Sequence, residues 1–345
     1  MPGFPTRPES LSTDWLSATL NTQIDDFRVE HFSEGSGIIG MVTRVHLTGP
    51  NTPSSIIVKF PSPSADNRAI ATLYDLYGKE IRFYRDLAGC ISLRTPAFLG
   101  AEYDNASQDF VLALEDLGHL RIGDQIEGCS LAEAKRIIRA IARFHAEGWQ
   151  PTEPAWLQTH ANPTQRDGMM AGFQLGWPTV LKKFDDVLPD SAREHGARLP
   201  DRVGQLLENI CQPPICQTHG DMRLDNIFFD DKTNDLVFVD WQAVCKSAPE
   251  HDLAYFITQS VPAKIAAETD LITYYHTQLT DHGIDYPLER CLERYKTCAL
   301  YFLCYAVVIA GTLDMGNKRG ELLARTLLGR SLAALDKMDA FDLLR

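Results

Sequence analysis

Two aspartates and an asparagine lie at spacings that suit the transfer of a phosphoryl group. Asp221 follows a His-Gly pair, Asn226 lies five positions after it, and Asp240 ends the apolar run Leu236–Val239. A phosphoryl group that passes between oxygens needs in-line positioning and charge neutralisation more than covalent help. Asp221 would accept the proton of a substrate hydroxyl, while Asn226 and Asp240 would supply the oxygen ligands that Mg²⁺ prefers. The motif therefore predicts metal-assisted phosphoryl transfer to a hydroxyl group.

A β-hairpin is predicted to position these residues. The apolar segments Ile227–Phe229 and Leu236–Val239 are separated by a polar run of Asp, Lys, Thr and Asn residues, which is typical of a hairpin turn. Asn226 would then precede the first strand, and Asp240 would follow the second. The alternative is that Asp221, Asn226 and Asp240 are ordinary turn residues at strand ends.

The N-terminal third contains groups suited to holding nucleotide phosphates. Ser36 and Gly37 lie in a glycine-containing turn between two strand-like segments, where backbone N–H groups can approach phosphate oxygens. Lys59 is the one charged residue of an apolar strand, and Glu80 lies on the helical stretch that follows. In this pattern Lys59 would reach the α- and β-phosphates, and Glu80 would orient it. A plain hairpin, an edge lysine and a solvated glutamate are the alternatives.

These residues resemble a family that comprises aminoglycoside phosphotransferases, choline kinases and ecdysteroid-kinase-like proteins. His219-Gly220-Asp221 has Gly where protein kinases have Arg, and Asp240-Trp241-Gln242 replaces their Asp-Phe-Gly. The resemblance implies an α+β, two-lobed, protein-kinase-like fold. Its small, mainly antiparallel N-terminal lobe with one key helix would span residues 1–117, of which 1–10 form a loose tail. The larger, mostly helical lobe for catalysis and acceptor binding would span 118–345.

The resemblance also implies residues that act around the reacting atoms. The backbone near Leu114, Glu115 and Leu117 would form the hinge that recognises the base of ATP, with GTP not excluded. Four further side chains would lie around the catalytic loop and the metal site: His219, Arg223, Gln242 and Asp252. His219 would organise the loop, Asp252 would hydrogen-bond it, and Arg223 would steady phosphate or an anionic acceptor. An ion pair with Asp225 is the alternative for Arg223, and simple capping of a helix is the alternative for Asp252.

Length, charge and cysteine usage limit the partners and the location of the chain. The chain has 345 residues, 44% of them hydrophobic, and a net charge of −13, which predicts two lobes and argues against a nucleic-acid surface. The eight cysteines lack paired zinc-site spacing, and without a signal peptide they indicate a reducing cytoplasm. The longest apolar run, residues 298–311, has 14 residues. A membrane span needs about 20, so this run is predicted to be a buried helix.

The expected activity is ATP- and Mg²⁺-dependent phosphorylation of a hydroxyl group on a small molecule. A nucleotide-binding scaffold without transferase activity and the transfer of AMP by the same lobes are the alternatives. The acceptor stays open: the excess of acidic residues permits a cationic amine, whereas Gln242, where several amine kinases of the family have an acid, disfavours one. Five aromatic residues would line an apolar acceptor pocket or belong to the core: Trp149, Trp156, Phe173, Trp177 and Phe184.

Overall fold

The computed structural model describes residues 3–32, 39–312 and 318–345. Within these ranges the strands are, in chain order, β1 Asp26–His31, β2 Gly40–Thr48, β3 Ser55–Pro61, β4 Phe98–Asp104, β5 Asp109–Glu115, β6 Arg121–Ile122, β7 Cys216–Thr218, β8 Ile227–Asp230, β9 Asp235–Phe238 and β10 Cys245–Ser247. The α-helices are α1 Thr13–Leu20, α2 Ala65–Leu73, α3 Leu76–Arg82, α4 Leu131–Glu147, α5 Pro163–Lys183, α6 Asp190–His195, α7 Leu199–Ile210, α8 Glu250–Ser260, α9 Ala263–Glu268, α10 Leu271–Asp281, α11 Leu288–Thr312 and α12 Lys318–Lys337. The chain is α+β, as predicted.

Contacts divide the chain into two compact units. The first unit comprises Met1–Cys90, Arg94–Arg121 and Phe228–Ala243. The second unit comprises Ile91–Leu93, Ile122–Ile227 and Val244–Arg345. The hairpin that ends at Asp240 therefore belongs to the first unit, although it is distant from the rest of that unit in sequence.

The first unit is built on a five-stranded antiparallel sheet of order β1-β2-β3-β5-β4. Side chains alternate between the two faces of a strand, and Ile56, Val58 and Phe60 of β3 are all fully buried. They form a core cluster with Leu16 of α1. Lys59 has the opposite parity in β3, so it lies on the other face of the sheet, away from this core.

The helical segment after β3 departs from regular periodicity. α3 ends at Arg82, and Phe83–Leu87 continue it as a π-turn, in which the N–H of Ala88 donates to the carbonyl oxygen of Phe83. The sequence predicted an ordinary helix here. Because a π-turn inserts an extra residue into the turn, it changes the direction in which the following side chains point, and such turns occur often at functional sites.

The second unit is helical and is centred on α11. This helix packs against α5, α7, α8, α10 and α12, and all its residues from Cys298 to Cys304 are fully buried. A Cβ atom on Gly311 would collide with the backbone of Gly176 in α5, so the close crossing of the two helices requires glycine. α11 is long and apolar enough to cross a bilayer. Here it is the core helix that the apolar run predicted.

Short strands begin and end the segments that carry the chemical motif. β7 and β10 pair antiparallel, with Thr218 opposite Cys245. The loop of residues 219–226 starts directly after β7 and ends in a single 3₁₀ turn, Leu224–Asn226. β8 and β9 are neighbouring strands, which confirms the predicted hairpin before Asp240.

Candidate active site

Lys59 lies between two carboxylates in the first unit. Its Nζ atom is 2.6 Å from Oε1 of Glu80 and 3.2 Å from Oδ1 of Asp240. The three side chains are 16%, 4% and 21% exposed, respectively. Burial by itself would lower the pKa of Lys59, but the charges of Glu80 and Asp240 outweigh burial and raise that pKa above its usual value. Lys59 is therefore a cation at neutral pH, held between one carboxylate from α3 and one from the end of the hairpin.

Asp240 is held in place by its backbone and by the residue that follows. Its φ angle of +67° lies in the left-handed region that residues other than glycine rarely adopt. Trp241 is fully buried, and its Nε1 donates to the carbonyl oxygen of Phe238 at 3.1 Å. Its ring stacks on Phe83, with centroids 3.9 Å apart and an interplanar angle of 5°. This stack contributes about 0.5–1.5 kcal/mol beyond the burial of the two rings and ties the residue after Asp240 to the π-turn that continues α3.

Gln242 also contacts the Asp240 carboxylate. Its Nε2 donates to Oδ2 of Asp240 at 3.4 Å, whereas Lys59 approaches Oδ1. The two oxygens of the carboxylate thus have different partners. An acid at position 242 would repel Asp240, so the amide is the residue that this contact favours.

The residues predicted to bind the base lie at the end of β5 and just beyond it. Leu114 and Leu117 are 3% and 4% exposed. The N–H of Glu115 donates to the carbonyl oxygen of Ala97 at 3.0 Å, and its carboxylate accepts from the N–H of Ala97 at 3.0 Å. Glu115 therefore fastens this segment to the residue before β4, a structural role that the sequence did not indicate.

Asp252 anchors the loop that follows β7. Its carboxylate is fully buried in α8 and accepts hydrogen bonds from the backbone N–H groups of His219 at 2.7 Å and Gly220 at 2.9 Å. Nε2 of His145 lies 3.1 Å from the same carboxylate. Burial opposes ionisation of Asp252, but the hydrogen bond with His145 and the nearby ring of His251, whose Nδ1 is 3.6 Å from Oδ1, outweigh it and hold the pKa well below its usual range. The side chain therefore binds the loop and is not a simple helix cap.

Glycine at position 220 follows from the shape of this loop. Gly220 has a φ of +85°, a conformation that costs about 1–2 kcal/mol for a residue with a side chain. The next N–H, that of Asp221, donates to Nδ1 of His219 at 3.2 Å. His219 therefore accepts with Nδ1 and acts on the loop backbone, consistent with the organising role implied for it.

Asp221 and Asn226 are joined by two hydrogen bonds. Nδ2 of Asn226 donates to the carbonyl oxygen of Asp221 at 2.9 Å and to its Oδ2 at 3.0 Å. Because both partners only accept, the amide nitrogen must face them and Oδ1 must face away. Nε of Arg223 is 3.3 Å from Oδ2 of Asp221, and its Nη1 is 3.8 Å from Asp225. The Asp221 side chain keeps an exposed fraction of 17%.

A group of aromatic residues beside Asp221 was not found by sequence reasoning. Burial and the Asp221 carboxylate raise the pKa of Tyr255 well above its usual value, and its ring stacks on Phe302 with centroids 4.6 Å apart. The ring centroid of Tyr305 lies 5.8 Å from that of Tyr255, and Nε2 of Gln165 donates to the hydroxyl of Tyr305 at 2.8 Å. The signal that could have found Tyr255 is its position three residues after the anchoring aspartate of α8, on the same helical face.

Most of the aromatic residues considered for an acceptor pocket belong to the core. Phe173, Trp177 and Phe184 are at most 5% exposed. Phe173 and Trp177 stack on each other within α5, with centroids 5.2 Å apart. Trp149 and Trp156 are partly exposed. Packing alone therefore explains Phe173, Trp177 and Phe184.

The chemistry of the donors fits Mg²⁺. Oδ1 of Asn226 and the carboxylate of Asp240 are oxygen ligands, and Mg²⁺ in phosphoryl-transfer sites usually binds one or two such groups together with waters and phosphate oxygens. Among the described residues, no group of three or more His, Cys, Asp and Glu side chains is arranged to hold a metal ion by itself. Each residue, taken within its own unit, is therefore an oxygen donor of the type that Mg²⁺ accepts.

The structure places the predicted residues in two groups, one in each unit. The group of the first unit contains Lys59, Glu80, Asp240 and Gln242. The group of the second unit contains His219, Asp221, Arg223, Asn226 and Asp252. Leu114, Glu115 and Leu117 also lie in the first unit. Ser36 and Gly37 lie outside the described residues.

Comparison with protein families gives one match that covers most of the chain. A model of the ecdysteroid kinase-like family matches residues 34–285. The match includes both groups of predicted residues. No curated protein sequence matches the chain significantly.

Solved structures match over nearly the whole chain. The GDP and kanamycin complex of APH(2″)-IIIa is 15% identical, with a TM-score of 0.53 over 95% of this chain and 98% of that one. The gentamicin complex of APH(2″)-IIa is 17% identical, with a TM-score of 0.51 over 98% and 99%. A putative aminoglycoside phosphotransferase from Ralstonia eutropha is 13% identical, with a TM-score of 0.55 over 95% and 97%. Matches at such low identity show the fold, and the predicted protein-kinase-like fold is confirmed.

Proposed function

This chain belongs to the ecdysteroid kinase-like family, and we propose that it is a phosphotransferase that uses ATP and Mg²⁺ to phosphorylate a hydroxyl group of a small molecule. The observation that carries the proposal is the position of Lys59 between Glu80 and Asp240, at 2.6 and 3.2 Å. A lysine that is buried, charged and oriented by a glutamate serves phosphate oxygens in this fold. A second carboxylate on the same lysine is the type of group that binds Mg²⁺.

The loop of the second unit supports the same reaction. Asp221 is the proposed base that accepts the proton of the acceptor hydroxyl, and Asn226 contributes its Oδ1 to the metal. Two hydrogen bonds from Asn226 hold Asp221 in position, and Arg223 contacts the same carboxylate. Bound Mg²⁺ would neutralise charge on the phosphates. The protein groups orient the acceptor oxygen, take up its proton and bind the phosphate oxygens.

The nucleotide and the acceptor are to be identified by experiment. The solved structures that match this chain include a complex with GDP and kanamycin and a complex with gentamicin. GTP, kanamycin and gentamicin therefore belong among the compounds to be tested. Tyr255 and Phe302, which stack on each other, are 4% and 0% exposed, so this pair belongs to the core and does not select an acceptor. The panel should therefore extend to choline-like amines, sugars, nucleosides, sterols and hydroxyacyl compounds.

The test measures consumption of ATP and of GTP with this panel, followed by the mass of the product. A gain of one phosphate supports the proposal, whereas a gain of one nucleotide indicates AMP transfer. Asp221→Asn should lower turnover of the identified acceptor by about 10²–10⁴ while leaving nucleotide affinity nearly unchanged. Asp235→Asn is the matched control because Asp235 is exposed at the start of β9 and should leave turnover unchanged.

Two results would contradict the proposal. Full turnover by Asp221→Asn would show that Asp221 is not the base. Nucleotide binding without hydrolysis and without turnover of any acceptor would favour a scaffold that binds nucleotide and does not transfer phosphate.

A further inference from the structure

Arg330 of α12 binds three backbone carbonyl oxygens on two separate segments of the second unit. Its Nη1 donates to the carbonyl oxygens of Gln125 at 2.5 Å and Gln259 at 3.1 Å, and its Nη2 donates to that of Ile126 at 2.8 Å. Gln259 is the second-last residue of α8, where carbonyl groups have no partner within the helix. One guanidinium group therefore joins the end of α8 to the loop that precedes α4.

The loop before α4 is bonded to the 3₁₀ turn Leu224–Asn226. The same Gln125 that accepts with its carbonyl oxygen donates its N–H to Oδ1 of Asp225 at 2.9 Å. Two residues earlier, the N–H of Gly123 donates to the carbonyl oxygen of Ile227 at 2.9 Å. The loop therefore lies along the turn and along the residue that follows it.

The end of α8 is bonded to the same turn. Ser260 follows Gln259 as the last residue of α8, and its Oγ accepts from the N–H of Leu224 at 3.2 Å. Ser260 and Leu224 are both buried, so loss of the hydroxyl would leave a buried N–H without an acceptor. Arg330 is therefore connected to Leu224 and Asp225, which are adjacent in the turn, by two separate hydrogen-bonded paths.

This turn bears on the proposed chemistry because Asn226 is its last residue. Nδ2 of Asn226 bonds Asp221, and its Oδ1 is the proposed metal ligand, so a shift of the turn displaces both groups. We propose that Arg330 is a positioning residue, which holds the turn through the end of α8 and the loop before α4 and so fixes Asn226 before Mg²⁺ binds. This inference rests on the proposed function. Arginine suits the role because its planar fork donates in fixed directions to several acceptors, whereas lysine is a flexible point charge.

The first measurement is hydrogen exchange of the full chain without nucleotide or metal, in the wild type and in Arg330→Lys. Lysine keeps the charge but cannot bond three carbonyl oxygens in the same geometry. Peptides that span residues 222–228 should exchange about tenfold faster or more, the effect of one lost hydrogen bond to a charged group. Peptides of α5 should be unchanged. Ser260→Ala, which interrupts one path and leaves Arg330 in place, should also speed exchange in residues 222–228.

The second measurement separates a role toward the metal from simple destabilisation. Isothermal titration gives the Kd of ADP in excess Mg²⁺ and in EDTA for the same chains. In Arg330→Lys the Kd in Mg²⁺ should rise about threefold or more. The Kd in EDTA should stay within about twofold, because Asn226 would act on the nucleotide through the metal.

Arg325→Lys is the matched control on the same helix. Nη1 of Arg325 lies 2.6 Å from Oδ2 of Asp186, whose side chain is 67% exposed, so the control changes an arginine with a solvated partner. Exchange in residues 222–228 and both Kd values should be the same in this control as in the wild type.

Three results would overturn the inference. The first is exchange of residues 222–228 in Arg330→Lys within about twofold of the wild type. The second is an equal increase of exchange in the peptides of α5, and the third is an equal loss of ADP affinity in Mg²⁺ and in EDTA. A wild-type chain that binds no nucleotide would overturn the proposed function and the role of Arg330 toward the metal, while the exchange result would still decide whether Arg330 holds the turn.

Discussion

Replacing Asp252 by asparagine removes the charge that holds the catalytic loop. The wild-type carboxylate accepts from the N–H groups of His219 and Gly220 at 2.7 and 2.9 Å and from His145 at 3.1 Å. Asparagine keeps one acceptor oxygen, and an N–H₂ group in the place of Oδ2 faces two donors, the N–H of His219 and Nε2 of His145. About two charge-assisted hydrogen bonds are lost, each worth about 1.5–3 kcal/mol. We therefore expect the loop to lose about 3–5 kcal/mol, the range found when a buried pair is broken.

Hydrogen exchange measures this loss where it occurs. The two amides bonded to Asp252 exchange by local opening of the loop, so a loss of about 3–5 kcal/mol corresponds to about 10²–10⁴-fold faster exchange. Mass spectrometry of peptides that span residues 216–224 reports these amides at neutral pH. Nucleotide hydrolysis, recorded in parallel, should fall because Asp221 lies in the same loop.

Asp230→Asn is the matched control for this substitution. Oδ1 of Asp230 accepts from the N–H groups of Lys232 and Thr233 at 3.1 and 3.2 Å, and an asparagine oxygen can accept the same bonds. Exchange in residues 216–224 should therefore be unchanged in the control. If Asp252→Asn changed exchange there by less than about threefold, the reasoning that Asp252 anchors the loop would be refuted.

Three further outcomes are expected. Glu80→Gln removes the charge that faces Lys59 at 2.6 Å, so the Kd of ADP in Mg²⁺, measured by titration, should rise about tenfold or more. Gly220 and Gly283 have φ angles of +85° and +84°, so Gly220→Ala and Gly283→Ala should each lower the free energy of unfolding by about 1–2 kcal/mol in thermal unfolding. Only Gly220→Ala should also lower turnover. Equal turnover in the two variants would contradict the role of the loop. Because the pKa of Asp252 is lower in the folded chain than its unfolded value of about 3.9, its contribution to stability is complete above that value and is lost as the pH falls below it. Between about pH 5 and pH 3 the Tm of the wild type should therefore fall more steeply than that of Asp252→Asn, and parallel curves would exclude this explanation.

Local periodicity predicted several elements of the fold, because it reflects which side chains a strand or helix must bury. The hairpin of β8 and β9 follows from two apolar runs around a polar turn, and the buried α11 follows from an apolar run too short to span a bilayer. The π-turn Phe83–Leu87 could not be predicted in this way. Its extra residue is stabilised by the stacking of Phe83 on Trp241, a contact between segments far apart in sequence.

The residue types and spacings of the site were present in the sequence by itself. His-Gly-Asp, Asn226 and Asp240 define the chemistry that can occur, since only certain side chains accept a proton or bind Mg²⁺. Their partners were decided by the tertiary structure. Asp252 reaches back to the N–H groups of His219 and Gly220, and Lys59 meets a carboxylate from the distant hairpin. Hydrogen bonds between remote segments depend on how helices and strands pack, and neither periodicity nor motif spacing specifies that packing.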